Sequence, residues 1–175
     1  MKDLPKVPFG MWSVVGLLFI AFVINGISFK PPQSKTSIAG AYSAISQGYS
    51  SGHSGIDITA DNGAPVESLS DGKVIKIADE DKYCPGKGYG KLVMIEDSKG
   101  DHTFLYAHLG RQLVDYGDEV KNGDTIGTVG MTGRTTGPHL HLTVFKTETL
   151  KTENHACGGR LTGETINPAR FLKIE

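Results

Sequence analysis

The chain lacks an excess of charge of either sign. Eighteen Lys and Arg stand against nineteen Asp and Glu, a formal net charge of −1 over 175 residues. A nucleic-acid partner calls for a basic face or stripe, and the interspersed charges here provide none. Amphipathic helical periodicity is missing too, outside one N-terminal run. "GYSSG" at Gly48–Gly52 fits G-x-S-x-G, but that motif needs a strand–turn–helix context, and no such context is visible. A serine hydrolase is therefore set aside. Cysteine is scarce: Cys84 and Cys157 sit in Gly-rich polar loops. They pair if the compartment is oxidising and the loops meet; otherwise they are two thiols.

Charge is absent altogether from Val7 to Phe29, where "MWSVVGLLFIAFVINGISF" dominates. About 20 apolar residues cross a bilayer. Pro8 suits a first helical turn, and Pro31-Pro32 stops the helix. A cleaved signal peptide is the rival, with Val14–Ile24 as its apolar core and Gly26-Ile27-Ser28 as a cleavage site. We expect an uncleaved single-pass anchor. Either reading puts the remainder outside the cytoplasm. The expected organisation is an N-terminal segment over 1–30, a Pro/Ser/Gly/Ala-rich linker over 31–44 and one domain over 45–175.

What the domain does contain is glycine, 23 in the whole chain, between short alternating segments. That pattern predicts an all-β domain with tight turns. "GIDITA" is a short strand. "APVESLS", "DG" and "KVIKIAD" read as one hairpin; "KLVMIED", "SKG" and "DHTFLYAHL" as a second. Asn122-Gly123 is the strongest short hairpin signal. "HLHLTVF" closes the series, Lys146–Glu164 reads as a long loop, and "INPARFL" docks the C-terminus. The expected architecture is antiparallel sheets folded as a sandwich with an open groove.

The histidines carry the chemistry. In "TTGPHLHLTVF", Leu140, Leu142 and Val144 alternate with His139, His141 and Thr143. His139 and His141 then share the polar face of a strand, roughly 6.8 Å apart. Two solvated imidazoles and a pair aimed into a groove both fit this local pattern. Upstream, "GHSGIDI" sets His53 four residues before Asp57. A straight strand separates them by about 13 Å, too far for one ion, so the chain must bend at Ser54-Gly55. His53, Asp57 and one histidine of the H-x-H pair would make an N₂O set. Such a set suits zinc and leaves a fourth position for water, the pattern of a catalytic site. His108 ends the strand "FLYAHLG". His102 reads as a solvated strand residue.

Three blocks in this order and spacing resemble the lysostaphin-type, or LytM-like, peptidoglycan zinc endopeptidases. The likeness runs through "HSGIDITADNGAPVESLSDGKVIKI", "YGKLVMIED", "TFLYAHL", "GDEVKNGDTIGTVGMTGRTTGPHLHLTVF" and "INPARFL", about Gln47 to Leu172. The resemblance implies one Zn²⁺ held by His53, Asp57 and His141, with His108 and His139 assisting catalysis. It implies hydrolysis of peptide stems or cross-bridges of the bacterial wall. Tyr49 is the nearest match to a tyrosine that some members place upstream of the first zinc ligand. The insertion with His155 and Cys157 departs from the shorter family pattern and would serve as a substrate wall. Some relatives have lost ligands and only bind the wall and activate other hydrolases; all five matching positions are intact here. A biotinyl- or lipoyl-type carrier needs a lysine at its turn, and Met131-Thr132-Gly133-Arg134 offers none.

Overall fold

Two-residue alternation of apolar and polar side chains organises the protein. The computed structural model describes residues 44–153 and 159–172, all of which fall within the unit Ser34–Glu175. The expected N-terminal span lies outside the described residues. Among the described residues, no helix is long and apolar enough to cross a membrane.

The described strands run β1 (Ala44–Gln47), β2 (Ile56–Thr59), β3 (Pro65–Glu67), β4 (Gly72–Asp79), β5 (Lys91–Asp97), β6 (His102–Ala107) and β7 (Leu109–Gln112). They continue with β8 (Glu119–Val120), β9 (Thr125–Val129), β10 (His139–Lys146), β11 (Lys151–Glu153), β12 (Arg160–Thr162) and β13 (Thr165–Ile166). The large sheet has the order β1-β2-β10-β6-β5-β4-β8, with β13 also paired to β10; β3-β9-β7 form a second sheet, and β11-β12 a third. Every pairing is antiparallel. Among the described residues, the all-β expectation for the domain holds.

The main core lies between the large sheet and the three-stranded one. From the large sheet come Ile56, Ile58, Val93, Ile95, Phe104, Tyr106, Leu140, Leu142 and Val144; from the small sheet come Val66, Leu109, Ile126 and Val129. Alternate residues of the same strands face the other way. Leu92, Met94, Leu105, Ala107 and Phe145 form a second apolar cluster. A central strand buried on both faces reads as nearly continuous hydrophobic sequence, which is why "KLVMIED" and "TFLYAHL" are so apolar. The H-x-H histidines belong to the face of the second cluster.

Two expected hairpins are corrected. "APVESLS" and "KVIKIAD" do not pair: β3 joins β9, while β4 joins β5 and β8. Asn122-Gly123 does form a tight turn, with Gly123 at φ 88°, but its flanking strands enter different sheets. Side-chain bonds hold this turn to the β3–β4 connection. Asn122 N–H donates to Asp71 Oδ1 at 2.9 Å, and its amide donates to the Leu69 carbonyl. A turn sequence specifies a local reversal, and the partners of the strands beyond it are chosen by burial. The expected "KLVMIED"/"DHTFLYAHL" hairpin is present as β5–β6. Lys146–Glu164 is not one long loop, since β11 and β12 pair within it. His102 is only partly exposed: its Nδ1 meets Asp97 Oδ2 at 2.9 Å, and its ring stands edge-on to Phe171 at 5.0 Å.

Phe104 is the test of this core. It is fully buried and stacks edge-to-face on Phe171 with centroids 5.2 Å apart. Phe104→Ala should cost about 3–5 kcal/mol. Urea unfolding with an unchanged m-value would report it; a loss below about 1 kcal/mol would show that Phe171 does not dock as described.

Candidate active site

The site grows from the register of β2, β10 and β6. Asp57 and Ala107 lie opposite His141 on its two neighbouring strands. Directly opposed residues bring their Cβ atoms within about 5 Å, so Asp57 reaches His141 without distortion. Its Oδ1 stands 2.8 Å from His141 Nδ1. His53 arrives by a bend. Ser50 and His53 bridge each other through backbone bonds of 2.9 and 3.1 Å. Gly55 then presses onto β10: a Cβ there would collide with the Leu142 carbonyl and stand 2.8 Å from His141 Cε1. The expected bend is real, and the glycine is needed for close approach rather than for flexibility.

This bend brings His53 Nε2 to 3.2 Å from His141 Nδ1 and 3.3 Å from Asp57 Oδ1. One ligand atom from each of the three residues lies within 4.8 Å of the others. The remaining ring nitrogens are engaged elsewhere: His53 Nδ1 meets the Gly48 carbonyl at 3.0 Å, and His141 Nε2 meets Thr143 Oγ1 at 2.9 Å. With those N–H groups turned away, two imidazole lone pairs and a carboxylate oxygen converge on one point. Lone pairs so close repel each other unless a cation stands among them. Tetrahedral zinc with bonds of 2.0–2.1 Å has ligand–ligand edges of about 3.3 Å, close to the separations seen. Outer-shell acceptors on the far nitrogens orient metal-binding imidazoles in the same way. Burial raises the Asp57 pKa; protonated forms of His141, by hydrogen bond and charge, and of His53 and His139, by charge, outweigh it, and the net direction is below the usual carboxylate value.

Two further imidazoles flank these donors. His139 Nδ1 lies 2.9 Å from the Gly137 carbonyl and 3.1 Å from Thr135 Oγ1, and its Nε2 is 3.8 Å from Asp57 Oδ1. His108 follows Ala107, and strict alternation would send its ring to the face of Phe104 and Tyr106. Instead its φ is 58°, the one positive value at a non-glycine among the described residues. That left-handed residue breaks the alternation. It brings the ring to 4.7 Å from His139 and 5.8 Å from His141, centroid to centroid. A strained backbone of this kind costs roughly 1–3 kcal/mol. His108 Nδ1 donates to the Thr132 carbonyl at 2.8 Å.

All five expected site residues therefore meet on one face. Tyr49 does not join them: its hydroxyl bonds Thr165, opposite Phe145 and well along β10 from His141. His155 and Cys157 lie outside the described residues, and Cys84 is disulfide-bonded. Leu150 and Leu161 of the insertion pack on the second apolar cluster. Sequence reasoning missed Tyr89, whose ring lies 5.7 Å from His141. Burial first, then the Glu80 charge, raise its phenol pKa, so it stays a donor. It sits in a glycine loop without periodicity, so no sequence signal marks it. Thr143 was legible, being the next residue on the H-x-H face.

Burial pushes the His108 pKa down to about 4, with the Thr132 hydrogen bond opposing. An unfolded histidine titrates near 6.5. Between these values the unfolded chain binds the extra proton, so this contribution is complete above about pH 6.5 and is lost as pH falls toward 4. In the metal-free protein the loss should be on the order of 3 kcal/mol. His108→Gln should flatten the dependence of urea stability on pH across that window. An unchanged slope would show that His108 is not held neutral.

Residues 51–155 match the model of Peptidase family M23, more than half of the chain. DD-carboxypeptidase/endopeptidase Mpg of Neisseria meningitidis serogroup B is 39% identical over 116 residues, 66% of this chain and 22% of that protein. Peptidoglycan DD-endopeptidase ShyC of Vibrio cholerae is 43% identical over 91 residues, 51% of this chain and 19% of that protein. The chain thus spans about a fifth of the length of these curated relatives. The solved catalytic domain of lysostaphin from Staphylococcus simulans aligns with TM-score 0.54 at 28% identity, over 75% of this chain and 90% of that domain. Since the family match runs through both the His53–Asp57 bend and the strand of His141, this chain belongs to Peptidase family M23.

Proposed function

We propose that this protein is a zinc endopeptidase that hydrolyses peptide cross-links of bacterial cell-wall peptidoglycan outside the cytoplasm. The observation that carries the reading is the convergence of His53, Asp57 and His141 on one point, with two more imidazoles beside it. The peptidoglycan substrate is suggested by relatives such as ShyC, named as a peptidoglycan endopeptidase. His53, Asp57 and His141 are the metal ligands in this proposal. Zinc bound there supplies a Lewis acid and brings the pKa of a coordinated water to about 7.

The protein's own groups do the proton work. His139 and His108 each commit Nδ1–H to a backbone carbonyl, which leaves Nε2 as the free proton site on each ring. Burial keeps His108 neutral well below neutral pH, so its Nε2 is available as an acceptor. One Nε2 takes the proton from the attacking water. The same proton is then delivered to the departing amine nitrogen, so that peptide and water become carboxylic acid and amine. The other imidazole and the Tyr89 hydroxyl are donors suited to the oxygen of the attacked carbonyl. The non-catalytic alternative would need a missing donor, and the set is complete.

The proposed organisation has residues 1–30 as a membrane anchor, 31–44 as a linker and 45–175 as the enzyme domain. The uncharged run from Val7 to Phe29 supports retention of the anchor. N-terminal sequencing of the mature protein tests it: an intact start is expected, and a chain beginning at Phe29 would reveal a cleaved signal peptide.

Digestion of purified peptidoglycan, with mass analysis of the fragments, tests the activity. His141→Ala should lose bound zinc and all cleavage. His139→Ala and His108→Ala should keep about one zinc per chain yet lose turnover by roughly 10²–10⁴-fold. Full activity in both would remove the acid–base roles.

A further inference from the structure

We infer that Asp81 is a positioning residue for His108, acting through the peptide group between Thr132 and Gly133. The proposal rests on the reading of His108 as a proton-transfer group. The carbonyl of that peptide, Thr132 O, accepts the His108 Nδ1 hydrogen at 2.8 Å. The N–H of the same peptide, on Gly133, donates to Asp81 Oδ2 at 2.9 Å. A carboxylate therefore faces the imidazole across one polarisable amide. Hydrogen bonds in such a chain strengthen each other by about 10–30% each. An anionic acceptor on the N–H side makes the carbonyl a better acceptor for His108.

The surrounding contacts fix this peptide between two loops. Asp81 uses its second oxygen as well, with Gly86 N–H donating to Oδ1 at 2.9 Å. The carboxylate thus ties the loop after β4 to the loop after β9. Gly90 and Gly133 meet so closely that a Cβ on either would strike the other's backbone. Thr132 Oγ1 donates to the Leu109 carbonyl at 2.8 Å and accepts Lys91 N–H at 2.9 Å. The His108 N–H donates to the Tyr89 carbonyl at 2.9 Å. His108 has a strained backbone, and both ends of its orientation, main chain and ring, are fixed by these two interlocked loops. Asp81 is the charged group that joins the loops at the peptide which the ring uses. Holding Nδ1–H on Thr132 fixes the tautomer and leaves Nε2 toward the site.

Asparagine at position 81 can accept from only one of the two backbone N–H groups. In the zinc-loaded full chain, Asp81→Asn should lower kcat roughly ten-fold, the scale of outer-shell losses. KM for soluble cross-linked peptidoglycan fragments and zinc content should be unchanged. In a His108→Ala background the same change should cost nothing further. In the wild-type protein, ¹⁵N-edited NMR should find the His108 proton on Nδ1, protected from exchange.

An Asp81→Asn enzyme with wild-type kcat, where His108→Ala is impaired, overturns the inference and leaves the catalytic reading intact. The same loss with and without His108, or loss of zinc, assigns Asp81 to the scaffold and also overturns it. Full activity of His108→Ala refutes the catalytic reading and with it the positioning role. Should Asp81→Asn fail to fold, the NMR result decides, since a His108 proton found on Nε2 removes the proposed link.

Discussion

Strand β10 can sit in only one register, and the active site follows from that. Leu140, Leu142 and Val144 fill the core between the two sheets. A slip of one residue would drive His139, His141 and Thr143 into that core and expose the leucines. Because the apolar face is so strongly specified, His141 is locked opposite Asp57 on one side and Ala107 on the other. Ala107 is the small neighbour that leaves room for imidazole rings above the sheet. Hydrophobic burial on one face thereby sets the geometry of the His53–Asp57–His141 cluster on the opposite face.

The second requirement is that several imidazoles share a small volume with their ring nitrogens oriented. Each solves this by directing one N–H outward to an oxygen: Gly48 for His53, Thr143 for His141, Gly137 for His139 and Thr132 for His108. Three of these acceptors are backbone carbonyls, which cannot be protonated or titrated away. The rings are thereby held in fixed orientations, and burial disfavours the imidazolium at His108. The cost falls on the backbone, where His108 is left-handed. Strain at such a position persists only when the surroundings over-determine it. The interlocked loops around Gly90 and Gly133 do so.

Much of this was legible beforehand. The alternating segments gave an all-β domain, as the described residues show, and the β5–β6 pair was read correctly because a short turn links two strands buried on both faces. His53, Asp57, His108, His139 and His141 were all named from spacing and resemblance, and the fold brings them together. The errors have a common origin. Asn122-Gly123 forms its turn, yet β8 and β9 part to different sheets. The "DG" at Asp71-Gly72 likewise separates β3 from β4. His102 read as solvated because its partners, Asp97 and Phe171, come from a neighbouring strand and the far C-terminus.

By itself the sequence determined which face of each strand is apolar, where the chain must turn, and which side chains can serve as metal or proton ligands. These follow from period-two patterning and from the chemistry of histidine and aspartate, which are local properties. Tertiary structure alone decided which strands pair and that Gly55 must lie against β10. It also decided that His108 turns back onto the site, and that Tyr89 and the Thr132 carbonyl stand beside the histidines. These depend on contacts between residues tens of positions apart, chosen by the burial of whole sheets, and no short stretch of sequence records them.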